Sequence, residues 1–121
     1  MDQTATSPTP HSDSVLVLCR DLIFSSRIVA TARADGVVVK LLRDPAALES
    51  ESASRAIVDL NQPGVLEAAE IWKRRDPTRE VMGFVSHVDA ETIRRAREAG
   101  IEAIPRSRFV ELLPQLLRGR R

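Results

Sequence analysis

Arg55-Ala56-Ile57-Val58-Asp59-Leu60-Asn61-Gln62-Pro63-Gly64 is the stretch on which the fold turns. Residues 56–58 are apolar, and Ile57 and Val58 are β-branched, which suits a short buried strand. The run ends in a carboxylate, and Pro63-Gly64 breaks the chain four residues later. An aspartate at the end of a buried strand lies at the rim of a sheet, where chemistry or signalling can use it. The same Asp59 is as well explained as a strand-end residue that caps the following turn. Its surroundings decide between the two readings.

Outward from this strand the hydrophobic period alternates between that of a strand and that of a helix. Upstream, residues 14–19 contain Val15-Leu16-Val17-Leu18, an unbroken apolar run of the kind found in central parallel strands. Ile23, Phe24, Ile28, Val29 and Ala32 then repeat at helical spacing, and Gly36 supplies a stop. Residues 37–42 read as a second strand. Asp44-Pro45 reads as the N-cap and first position of a short helix reaching about residue 52.

Downstream, Leu66, Ala69 and Trp72 share one face of a helix over 65–75, and residues 80–85 read as a fourth strand. Asp89 caps a helix over 90–99 that Gly100 ends. Residues 101–104 form a short fifth strand, and Ser107 is expected to cap a last helix in which Val110, Leu113 and Leu117 face the core.

Five strand–helix units in this order predict an α/β fold. It is a doubly wound (βα)5 parallel sheet of five strands, order 2-1-3-4-5, with helices on both faces. The domain is expected to span residues 14–118, preceded by a polar, proline-bearing disordered leader over 1–13 and followed by a basic tail over 119–121. In such sheets the functional crevice lies at the carboxyl ends of the strands. Cys19, Arg20 and Asp21 follow strand 1, Asp59 strand 3, Ser86 and His87 strand 4, and Pro105 and Arg106 strand 5.

Composition narrows the function classes. The chain has 121 residues, 43% of them hydrophobic, enough for one core. A net charge of +1 argues against a polyanion binder, so no nucleic acid is expected as a partner. A single cysteine, Cys19, excludes an internal disulfide and a cysteine-rich zinc site, and reads as a small buried hydrophobe. No apolar run approaches the ~20 residues of a bilayer span, and no signal-peptide pattern opens the sequence. A cytoplasmic protein with no membrane association is therefore expected. No glycine-rich phosphate loop follows strand 1, and two histidines with one cysteine assemble neither a triad nor a zinc site, so the protein is not expected to be an enzyme.

The crevice residues resemble the receiver (CheY-like) domain of two-component response regulators. Asp59-Leu60-Asn61-Gln62-Pro63-Gly64 looks like the phosphoacceptor loop, with proline four residues after the aspartate. Val85-Ser86-His87 resembles the end of strand 4, where receivers keep a Ser or Thr. Ala96-Arg97-Glu98-Ala99-Gly100-Ile101 resembles the Ala-Gly turn into strand 5. The resemblance covers most of the chain. It implies phosphoryl transfer from a partner histidine to Asp59 with Mg²⁺ bound, a phosphorelay in which a histidine kinase, a phosphotransfer protein or a downstream signalling protein is the partner. By this resemblance Asp59 is the phosphoacceptor position, Ser86 the switch hydroxyl, Arg106 the position of the family's lysine, and Asn61 the backbone carbonyl donor to the metal.

The sequence departs from the pattern on the metal side. With strand 1 ending at Leu18, Cys19-Arg20 replaces the family's acidic pair, and Asp21 restores a carboxylate only through a one-residue slip. A thiol is a poor Mg²⁺ ligand and a guanidinium repels the ion, which leaves Asp59 and Asn61 as a weak metal site at most. Arg20 or Arg106 is expected to pair with Asp59 and supply the missing positive charge. The expectation is a stand-alone pseudo-receiver with impaired Mg²⁺-dependent phosphorylation and no cofactor, acting through protein contacts. A homodimer or partner surface is expected over 90–117, with Arg94, Arg97, Arg106, Arg108 and Glu111 as its charges. The alternatives are a working acceptor at Asp59 and a flavodoxin-like small-molecule-binding domain. Three Phe, one Trp and no Tyr are few aromatics for stacking a flavin.

Overall fold

A computed structural model of the protein describes residues 12–87 and 89–118. Ten elements alternate along it: β1 (Ser12–Leu18), α1 (Leu22–Ala34), β2 (Val39–Leu42), α2 (Pro45–Leu48), β3 (Ala53–Asp59), α3 (Val65–Arg75), β4 (Glu80–Val85), α4 (Ala90–Glu98), β5 (Glu102–Pro105) and α5 (Arg106–Arg118). All strands pair in parallel, in the order β2-β1-β3-β4-β5. The predicted fold class and strand order are the ones observed.

The unbroken apolar runs follow from burial on both faces of the sheet. Leu16, Leu18, Ala56, Val58, Val81 and Val85 pack with Leu48, Val65, Leu66, Ala69, Trp72 and Ala96 from α2, α3 and α4. The alternate residues Val15, Val17, Ile57, Met82, Phe84 and Ile104 pack with Phe24, Ile28, Ala32, Phe109, Leu113, Leu116 and Leu117 from α1 and α5. Two helices thus cover one face and three the other. Arg55 fastens the outer end of β3 to the end of α5, its Nη1 donating to the carbonyls of Leu116 at 3.1 Å and Leu117 at 2.6 Å.

Several boundaries move for local reasons. β1 begins at Ser12, two residues into the expected leader, because Ser12 pairs with Ala53 across an irregularity in the ladder. The rest of the leader and the basic tail lie outside the described residues. β2 begins at Val39, because the N–H of Val37 closes the end of α1 on the Ala32 carbonyl at 2.9 Å, with Gly36 left-handed at φ +71°. α2 ends at Leu48, well short of residue 52. Ser107 is not a cap, since β5 runs directly into α5 at Arg106 and places Ser107 within the helix. The other two capping expectations hold. Asp44 accepts from the N–H of Ala46 at 3.1 Å, and Asp89 from that of Glu91 at 3.2 Å.

Candidate functional site

Parallel register lays the strand ends side by side. Leu18 pairs with Val58, Asp59 with Phe84, and Val85 with Pro105, so Cys19, Asp59, Ser86 and Arg106 emerge along one edge. Asp59 is half-buried. Its Oδ1 accepts the N–H of Asn61 at 3.0 Å, which folds the chain into a tight turn after β3. Burial raises the Asp59 pKa above the ordinary carboxylate value, against the lowering effect of that N–H and of the Arg106 charge. The Asp21 carboxylate also raises it.

Arg106 is the centre of the crevice. Its Nη2 donates to Asp21 Oδ2 at 2.9 Å and its Nη1 to Ser86 Oγ at 3.3 Å. Its guanidinium carbon stands 4.2 Å from the centroid of the Phe24 ring. Phe24 in turn meets Phe84 at 4.7 Å and Phe109 at 6.0 Å, so all three phenylalanines of the chain form the floor beneath this cation. The charge therefore has a carboxylate, a hydroxyl and a π face in fixed positions. Arg106 opens α5 directly after β5.

Asp21 occupies the crevice without any slip of β1. It is the N-cap of α1, where its Oδ1 accepts the N–H of Phe24 at 3.0 Å. That bond and the Arg106 guanidinium hold its carboxyl below the ordinary range. Both oxygens of Asp21 are thereby engaged. Arg20 is exposed and has no ion pair among the described residues. The expected direct pairing of Asp59 with Arg20 or Arg106 is corrected: Arg106 pairs with Asp21, and reaches Asp59 only through its field. The N-cap rule explains why. Asp21 is fixed by the helix that follows it, with its second oxygen within reach of the Arg106 guanidinium.

Cys19 is buried, as expected of a small hydrophobe, and its thiol donates to the Asp21 carbonyl at 3.8 Å. Burial pushes its pKa up, which keeps the thiol neutral. Asn61, expected as a backbone carbonyl donor, also has its side chain engaged. Asn61 Oδ1 accepts the N–H groups of Ser86 at 2.6 Å and His87 at 3.1 Å. Among the described residues no group of three or more His, Cys, Asp or Glu side chains converges as a metal site.

On the 90–117 surface, Arg94 lies between Glu91 at 2.6 Å and Glu98 at 2.7 Å, and Arg108 meets Glu111 at 2.9 Å. These are intrahelical pairs on exposed faces. Arg106 is withdrawn from that surface into the crevice, whereas Arg97 is exposed.

No family model matches the chain, and no curated protein sequence matches it. Solved structures do. A CheY-like response regulator receiver domain from Methanospirillum hungatei superposes with a TM-score of 0.72 at 16% identity, over 88% of this chain and 94% of that one. The chain has the receiver-domain fold. A response regulator from Thermotoga maritima gives a TM-score of 0.71 at 18% identity over 88% and 95% of the two chains. One from Burkholderia pseudomallei, whose structure carries a phosphorylated aspartic acid and a calcium ion, gives 0.72 at 17% over 88% and 66%. Doubly wound α/β sheets place their crevice at the carboxyl ends of the strands, the edge from which Asp21, Asp59, Ser86 and Arg106 project here. Among the described residues no helix is long and apolar enough to cross a membrane.

Proposed function

We propose that this receiver fold serves as a cytoplasmic signalling domain that works by binding a protein partner, without catalysis. In its crevice Arg106 replaces the metal ion. The observation that carries this reading is the bridge from Arg106 to Asp21 Oδ2 and Ser86 Oγ over the Phe24 ring. Mg²⁺ takes hard oxygen ligands in near-octahedral geometry and keeps several waters. The residues do not fit it: Asp21 has both oxygens engaged, Cys19 is a buried neutral thiol, and the Arg106 charge already acts on the remaining carboxylate. Phosphoryl transfer depends on positioning and on neutralising the charge of the transferred group. A single fixed arginine that is already paired supplies less of that than a metal ion bound by two acids.

A partner would find two exposed regions near the crevice: the apolar pair Leu22 and Ile23 at the start of α1, and the mixed charges of α4 and α5 over 90–117. The reading assigns the contacts to the second, where a charged surface confers specificity more than affinity.

The second reading, a working acceptor at Asp59, draws on its half-buried carboxylate beside Ser86 and Arg106. Incubation with a small phosphodonor and Mg²⁺, followed by intact-mass measurement, separates the two. The expected result is no Asp59-dependent gain of a phosphoryl group. A stoichiometric gain that disappears in Asp59→Asn would establish the second reading and overturn the first.

A further inference from the structure

The two edges of the sheet are unlike. β5 reads Glu102-Ala103-Ile104-Pro105, and a proline with a charge is a common guard against the addition of another strand. At the other edge, β2 and the residues leading into it read Val37-Val38-Val39-Lys40-Leu41-Leu42, β-branched at the start and without proline. The one charge there, Lys40, is tied to Glu51 at 2.8 Å. The carbonyls of Val38 and Leu42 accept the N–H groups of Val15 and Cys19, so these residues bond inward to β1. By alternation, the N–H and C=O groups of Val39 and Leu41 point out of the edge.

The side chains alternate as well. Leu42 joins the core under α2, α3 and α4, so Val38 and Lys40 lie on that face. Val37 and Val39 pack against the core under α1 and α5, so Leu41 lies on theirs. Val38 is 64% exposed and Leu41 47%. On the α1 face a groove of about 380 Å³ opens beside Val37 and Val39, lined also by Val29, Ala32 and Arg33.

We propose that β2 is a self-association edge, at which the β2 strands of two copies pair antiparallel about a twofold axis and join two five-stranded sheets into one. A twofold perpendicular to the sheet keeps each face on its own side, so it sets odd residues against odd and even against even. Centring the pair on Lys40 would oppose the two lysines directly, which is destabilising. Centring it on Val39 opposes Val39 to its own copy, and these two residues exchange both N–H···O bonds. Leu41 then faces Val37 of the second copy, at the groove, and its N–H reaches that residue's carbonyl. Val38 covers the aliphatic stem of the second copy's Lys40. One register thus buries both exposed apolar side chains, fills the groove and separates the lysines, which is why a second copy is the occupant that fits. The contact is smaller than a standard stable interface, so the dimer is reversible and forms with rising concentration. It lies on a different surface from the 90–117 face and does not depend on the reading above.

The test is sedimentation equilibrium of the intact protein up to about 1 mM, with amide hydrogen exchange at both ends of the series. The expected result is a monomer–dimer equilibrium without larger species, with the Val39 and Leu41 amides protected in the dimer alone. Leu41→Lys is expected to weaken the dimer about a hundredfold, because each dimer loses the contact twice. Position 38 faces Lys40 of the second copy, so Val38→Lys is expected to weaken the dimer about tenfold more than Val38→Glu. All three changes fall on exposed side chains, which the monomer fold does not need. A protein that stays monomeric would leave this edge to a strand from a different protein and overturn the proposal. A dimer protected over 90–117 and indifferent to Leu41→Lys would overturn it as well, and so would growth beyond the dimer. Equal weakening by the two Val38 variants would overturn the register on which it rests.

Discussion

Trp72→Ala is expected to lower the free energy of unfolding by about 3–5 kcal/mol, in line with truncation of a large aromatic in a packed core. Against a typical stability of ~5–15 kcal/mol for a small domain, that is a large fraction of the whole. Trp72 is fully buried between α3 and the sheet, among Leu48, Ala53 and Val81. Its indole Nε1 donates to the Glu51 carbonyl at 3.0 Å, which fastens the segment before β3 onto α3. The Arg79 guanidinium stacks 4.2 Å from its ring, and Arg79 Nη1 donates to the Trp72 carbonyl at 2.8 Å. Removing the ring therefore empties a core position, orphans a carbonyl and releases a stacked cation. Trp72→Phe keeps most of the volume and loses the N–H, and is expected to cost about 1–3 kcal/mol. Urea unfolding followed by circular dichroism measures both, since Trp72 is the chain's one tryptophan and fluorescence is lost with it. A cost below about 1 kcal/mol for the alanine variant would contradict this account of the core.

Gly83→Ala is expected to cost about 1–3 kcal/mol through overpacking, and to disturb the aspartate turn in particular. Gly83 lies in β4 between Val58 of β3 and Ala103 of β5, so it cannot move aside without breaking two ladders. A Cβ at this position would collide with Leu60, standing 2.5 Å from its Cγ and touching Cδ1 as well. Leu60 is buried and follows Asp59 directly, so the strain passes into the turn that positions the carboxylate. The double variant Leu60→Ala/Gly83→Ala separates collision from loss of glycine freedom. Alanine at 83 is expected to cost far less when Leu60 is already truncated. Equal costs in both backgrounds would show that Leu60 is not the obstacle.

Most of the fold was legible in the sequence because its signals are local and redundant. Leu22–Ala34, Val65–Arg75 and Glu80–Val85 stand where periodicity and the flanking turn residues put them. The strand order follows from alternation of β and α elements and from a general rule of handedness. Errors collect where tertiary bonding overrides local preference. Val37 is β-branched yet closes the end of a helix, and Ser107 has cap chemistry but lies one residue inside α5.

The site was only half legible. The positions Cys19, Asp21, Asp59, Ser86 and Arg106 follow from strand ends, and they do meet at one edge of the sheet. Which charge pairs with which depends on side-chain reach across elements 85 residues apart, and no spacing in the chain encodes that. The one available signal was Asp21 immediately before an apolar helical run, the pattern already used for Asp44 and Asp89. An N-cap at Asp21 fixes that carboxylate in place, and with it the partner of Arg106. The bridging role of the Asn61 side chain had no sequence signal, because a short polar residue in a turn looks the same whether it faces solvent or spans a crevice.

The central claim is that Arg106 stands in for a metal ion. A Mg²⁺ titration of the backbone amide spectrum tests it most directly. In the parent protein the amides at 19–21, 59–61 and 86 are expected to stay unmoved through physiological Mg²⁺ concentrations. In Arg106→Ala, with Asp21 released, they are expected to shift and saturate. Saturable shifts centred on Asp21, Asp59 and Asn61 in the parent protein would contradict the claim.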